Sequence, residues 1–201
     1  MTDVRLAFSE AAAGFVDGVL SVPDDAWSSP GLGVWTVRDL VGHTSRALTT
    51  IETYLDAADV DGTISSPAEY FQRALGAVTP AAHDAIAERG RQAGIDLGGD
   101  PVGAIRSLAD RVVARVAAEP DDARCNTFAG AMRLIDYLPT RVVELTVHSL
   151  DLTDAIGRPA TVRSTAVELT MDRILDLADP LVLMRALGGR RSLPDGFSVF
   201  G

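Results

Sequence analysis

The chain has 201 residues, of which 47% are apolar and 23% charged, enough apolar content to bury a core and too much for a disordered chain. Its net charge of −10 and pI near 4.6 argue against binding a phosphate backbone, although a local basic pocket can still outvote the total. One cysteine, Cys125, excludes an internal disulfide framework and every CxxC metal site. That usage fits a reducing compartment, and no signal peptide or 18-residue apolar run is seen, so the expectation is a cytoplasmic protein with no membrane and no nucleic-acid partner, a monomer or homodimer.

Helical signals dominate in chain order. Asp3 caps a first helix to about Leu20, with Val4, Phe8, Ala12, Phe15 and Val19 on one face. The loop SVPDDAWSSPGLGVW follows, carrying Trp27 and Trp35, which are expected to cover the end of the bundle. TVRD then opens a second helix at Thr36, close to a capping box with Asp in place of Glu, and Val37, Leu40, Val41, Leu48, Ile51 and Leu55 form its stripe to about Asp56.

Further helices are expected over Pro67–Val78, from Pro80 to before Gly98, and from Pro101 to about Ala118. Residues 119–133 read as irregular, with weak strand signals near 126–133 and 194–200. A long helix from Leu138 to Ile156, closed by Gly157 and Pro159, one from Ser164 to Leu177, and a short one after Pro180 complete the set. The pattern predicts an all-α, antiparallel helical bundle over residues 1–178 with a C-terminal helix and tail over 179–201.

The stretch RVVELTVHSLD, residues 141–151, alternates as a strand would, but its length without a breaker and its Gly-x-Pro stop favour a helix. At about 100° per residue, Arg141, Glu144, His148 and Asp151 share an arc of about 80°. Residues four apart sit ~13 Å from each other on a strand but ~5–6 Å on a helix, close enough to share an ion. His43, at the edge of the second helix's stripe, is the candidate third ligand. Two imidazoles, a carboxylate and a vacant position match open zinc sites and the facial triad of iron(II). Asp39, Asp151 or a carbonyl could orient the imidazoles.

Other readings stand beside these. Glu144 and His148 could be a simple polar pair, and His43 a hydrogen-bonded interior histidine. His83 reads as solvated, Cys125 as structural, and Arg46 and Arg141 as surface charges or anion clamps.

Two segments change that balance. WTVRDLVGHTSRAL, residues 35–48, resembles the W-T-V-x-D-L-x-x-H opening of the mycothiol-dependent maleylpyruvate isomerase family, a branch of the DinB-like helical bundles. LPTRVVELTVHSLDL, residues 138–152, resembles that family's L-P-x-R-x-x-E-x-x-x-H-x-x-D-L segment. The resemblance implies His43, Glu144 and His148 as metal ligands, zinc as the usual metal with nickel or iron as alternatives, and mycothiol, a thiol of actinobacteria, as co-substrate. It implies an isomerase of maleylpyruvate type or an S-transferase. In the first, a metal-bound thiolate adds to a double bond, rotation follows, and elimination returns the trans isomer; in the second it attacks an electrophile and stays attached. An unsaturated acid or other small electrophile is the implied partner; apart from the resemblance, the positions of Arg46 and Arg141 near the stripes permit either to clamp its carboxylate. The rival is a non-catalytic, metal-containing module that binds a small molecule or thiol. The residues after Leu177 are too few for the small C-terminal domain of full-length isomerases, which supplies an arginine to the site.

Overall fold

We describe the fold from a computed structural model, for residues 2–77 and 79–200. Helices α1 (Val4–Leu20), α2 (Val37–Asp56), α3 (Pro67–Gly76), α4 (Pro80–Asp96) and α5 (Pro101–Ala118) precede a hairpin of β1 (Arg124–Thr127) and β2 (Gly130–Arg133). Helices α6 (Leu134–Ala155), α7 (Ser164–Leu177) and α8 (Pro180–Leu187) follow.

Local chemistry sets most of the starts. Asp3, Ser66, Thr79, Asp100 and Asp179 each accept backbone N–H bonds at a helix N-terminus, and all but the first precede a proline in the first turn. Thr36 and Asp39 make a complete capping box, so the shorter acid serves as well as glutamate there. The third helix was expected to reach Val78, which lies outside the described residues; α3 stops at Gly76.

Four helices form the core. Helix α1 packs on α5 and α6, and α2 packs on the same two, so α1 faces α2 across a diagonal. Side-chain pairs fix the directions. Arg111 bonds Glu52 at 2.8 Å and Arg115 bonds Asp56 at 3.0 Å, in step, so α2 and α5 run parallel. The Tyr137 hydroxyl donates to Thr50 at 3.0 Å while His43 meets His148, so α2 and α6 run antiparallel. Arg5, at the start of α1, reaches the Val116 and Glu119 carbonyls at the end of α5. Each core helix therefore has one antiparallel and one parallel neighbour. The long α2–α5 connection, which holds α3 and α4, permits the parallel pair that a short loop would forbid.

Helix α4 lies against the outer side of α2, and α7 covers α1 and α6. The α2–α4 approach is backbone to backbone: a Cβ on Gly42 would overlap Ala93 and Gly94. Phe8, Phe15, Leu40, Leu48, Ile105, Leu134 and Leu145 are among the fully buried side chains between the four core helices.

Two expectations shift here. The weak strand signal near 126–133 is realised as the hairpin, which pairs Cys125 with Met132 and Thr127 with Gly130 in a stretch otherwise read as irregular, whereas residues 194–200 hold no strand. Its outer edge is covered by the loop before α3, where Ile64 donates to the Ala131 carbonyl at 2.8 Å. Helix α6 begins at Leu134, one turn before the expected Leu138, with Pro139 inside it. Pro139 has no N–H to give the Ile135 carbonyl, and the burial of Leu134, Tyr137 and Leu138 offsets that lost hydrogen bond.

Candidate metal centre

Helix α2 starts at Thr36, which puts His43 two turns in, facing α6. The antiparallel crossing brings it level with Glu144 and His148. One ligand atom from each of the three lies within 4.8 Å of the other two. Glu144 Oε2 and His148 Nε2 are already 3.5 Å apart, close to the roughly 3.3 Å between neighbouring donors around a tetrahedral cation with ~2.0–2.1 Å bonds. The His43 and His148 rings meet edge-on with centroids 4.9 Å apart.

The imidazoles are held from behind. His148 Nδ1 lies 2.9 Å from Oδ2 of Asp151, which leaves Nε2 turned toward Glu144. Asp39, the other candidate for this work, is occupied by the Thr36 cap. Trp35 stacks on His43 with centroids 4.3 Å apart. The indole N–H donates to the Ala87 carbonyl at 3.0 Å, and its far face rests on Gly90, where a Cβ would come within 2.9 Å. Trp35 thus backs a candidate ligand rather than closing the bundle end. His43 Nδ1 is buried and finds no partner among the described residues.

The electrostatics are those of a site prepared for one extra positive charge. Burial keeps His43 neutral, aided by the charge on His148, and lowers it to about 4. Burial also disfavours charge on His148, but the carboxylates of Asp151 and Glu144, which accept from its ring, win and raise it to about 9. Burial would raise Glu144, yet the hydrogen bond to His148 and the positive charge of Arg141 hold it down at about 2. A protonated His148 places a positive charge between Glu144 and Asp151. The donor set, its spacing and the orphaned His43 nitrogen all fit a divalent ion.

A cavity of about 690 Å³ opens beside the cluster, lined by His43, Glu144 and His148 and by three arginines, Arg46, Arg89 and Arg141. Arg141 is 7% exposed, so the surface-charge reading fails for it: its guanidinium lies 4.8 Å from the Tyr137 ring centroid and 5.5 Å from that of Tyr70. Arg46 is half-buried in the wall. His83 is exposed and does not line the cavity, and Cys125 is buried with its thiol pushed up to about 12 by burial, an inert side chain.

Sequence reasoning missed Arg89, the tyrosines and Phe200. Tyr137 was within reach, being one turn before Arg141, had α6 been started at Leu134. Phe200 lines the cavity from the far end of the chain, and nothing local announces that. Thr146 and Thr153, also on α6, are buried. Thr153 bonds back to the Ser149 carbonyl at 3.0 Å and so needs no water.

Fold and site together define a helical bundle with a two-histidine, one-carboxylate cluster at the floor of a basic cavity. The chain belongs to the mycothiol maleylpyruvate isomerase N-terminal domain family, whose sequence model matches residues 6–153. Comparison with curated proteins and with solved structures finds no match. Among the described residues no helix is long and apolar enough to cross a membrane.

Proposed function

We propose that the chain is a metal-dependent enzyme that uses mycothiol, either isomerising an unsaturated acid or transferring the thiol onto an electrophile. The observation that carries this reading is the convergence of His43, Glu144 and His148 within 4.8 Å at the cavity floor, in a member of a family named for mycothiol chemistry. Zinc is the metal we favour for two imidazoles and one carboxylate, with nickel or iron as alternatives.

A divalent cation at that cluster would supply the charge that keeps a co-substrate thiol deprotonated near neutral pH. His43 from α2 and Glu144 and His148 from α6 would hold the ion, His148 as the neutral imidazole. Asp151 keeps His148 in the tautomer that offers Nε2, and Trp35 fixes the plane of the His43 ring. Arg46 and Arg141 hold the carboxylate of the electrophile beside the cluster. The apolar wall of the cavity limits water, so that an electrophile meets the thiol before it is hydrolysed.

The test is turnover. Zinc-loaded protein is offered mycothiol with an unsaturated diacid and with alkylating electrophiles. Product should form only when thiol and metal are both present. Full metal loading with no thiol-dependent turnover of any electrophile would favour a non-catalytic binding module.

A further inference from the structure

We propose that the electrophile is an amphipathic monocarboxylate, its one carboxylate held by Arg141 and a sizeable apolar body laid along Phe71, Phe128 and Phe200. This rests on the reading above for the reaction, while the binding it describes uses residues outside the metal cluster.

The anion half follows from a buried guanidinium that touches no carboxylate. Arg141 is nine-tenths buried, and its one hydrogen bond among the described residues goes from Nε to Thr140 Oγ1 at 3.0 Å. No carboxylate among the described residues pairs with it within 4.0 Å. The Tyr137 and Tyr70 rings fix the guanidinium against the cavity wall, a contact that steadies the plane without neutralising the charge. Among the described residues Glu144 is the one acid lining the cavity; its charge acts on Arg141 from a distance, but its contact is with His148. A buried guanidinium that no carboxylate contacts is costly, and its planar fork suits a carboxylate. Arg46 and Arg89 are less buried and reach solvent, so neither requires a second anion.

The apolar half follows from three separate segments that each send a phenyl ring to the same cavity. Phe71 comes from α3, Phe128 from the tip of the hairpin and Phe200 from the tail. Phe200 and Phe71 lie 5.7 Å apart, and Phe128 sits 5.8 Å from Tyr70 with 64% of its surface exposed. Leu75 and Ile86 continue this wall. An apolar ligand body would cover these rings; a small diacid would cover little and turn a second carboxylate toward them.

The experiment is calorimetric binding of 4-phenylbutyrate, glutarate and 4-phenylbutanol to zinc-loaded protein. Phenylbutyrate should bind one per chain, at least tenfold tighter than glutarate or the alcohol. Phe200→Ala should weaken phenylbutyrate fivefold or more and leave glutarate unchanged. Arg141→Lys should weaken both acids and spare the alcohol; should that variant fail to fold, the acid–alcohol comparison in the unaltered chain decides the anion half. Glutarate binding as tightly as phenylbutyrate, an alcohol matching the acid, or no effect of Phe200→Ala would each overturn the proposal. His148→Ala separates the two readings. Phenylbutyrate binding kept within threefold supports the Arg141 site, whereas its loss would mean that the metal held the carboxylate. If zinc never binds the unaltered chain, the metal reading fails, and the ranking of the three ligands still decides this one.

Discussion

Nδ1 of His148 lies 2.9 Å from Oδ2 of Asp151, one helical turn further on. That contact makes His148 both the best-oriented donor of the cluster and the most strongly protonated one. Asp151→Asn should keep the fold, since Asp151 is half-buried at the helix surface, yet it removes the charge that orients the ring. Zinc affinity, measured by competition with a chromophoric chelator, should fall about 10–100-fold, with unchanged far-ultraviolet dichroism.

The same contact predicts how metal uptake depends on pH. His43 is lowered to about 4, Glu144 to about 2, and His148 is raised to about 9. Between about 4 and 9 a metal must therefore displace one proton, from His148. Apparent affinity should rise close to tenfold per pH unit across that window and level off above it. Calorimetry in two buffers of different ionisation enthalpy should count one proton released per zinc; a count of zero would refute the protonation pattern.

Stability without metal should follow a related course. His148 has its folded value raised above the unfolded one near 6.5, so its contribution is complete below about 6.5 and is lost as pH climbs through 9. Neither His43 nor Glu144 titrates in that interval. Urea midpoints of the metal-free protein should accordingly fall between pH 6.5 and 9, and zinc-loaded protein should not share this fall, because its His148 carries no proton to lose.

Trp35 offers an optical reading of the site. The chain has two tryptophans, Trp27 and Trp35, and Trp35 stacks 4.3 Å from His43. Cobalt or nickel should quench intrinsic fluorescence saturably at one equivalent. Trp27→Phe should retain the quenching and Trp35→Phe should abolish it. Quenching that survives in Trp35→Phe would place the ion elsewhere.

The close approach of α2 and α4 gives a prediction about packing. Gly42→Ala drives a methyl into Ala93 and Gly94, pushing α4 and the Gly90 seat of Trp35 away. Thermal unfolding should show a loss of about 1–3 kcal/mol, and zinc affinity should drop with it. Gly76→Ala, with open space around its Cβ, should be neutral or stabilising by up to ~1 kcal/mol.

How far the sequence could be read follows from how local each signal is. Capping residues and prolines mark their own helix starts, so Asp3, Thr36, Thr79 and Asp100 located four helices almost to the residue. The Glu144–His148 pair was legible because helical spacing alone puts the two side chains together, and His43 because so few histidines compete for the third place. The start of α6 was obscured by Pro139, whose usual role as a breaker is offset by burial that only the assembled bundle supplies. The parallel α2–α5 pair, the burial of Arg141 under two tyrosines, and the arrival of Phe200 in the cavity all depend on contacts between distant segments. No periodicity within one element carries them.

The central claim is that His43, Glu144 and His148 bind one metal ion together. Purified protein is stripped with chelator, reloaded with zinc, and assayed for metal per chain by elemental analysis, beside His43→Ala and His148→Ala variants matched for helix content. The expected result is one zinc per unaltered chain and a near-complete loss in each variant. An unaltered chain that retains no stoichiometric metal, or a His148→Ala variant that keeps it all, would contradict it.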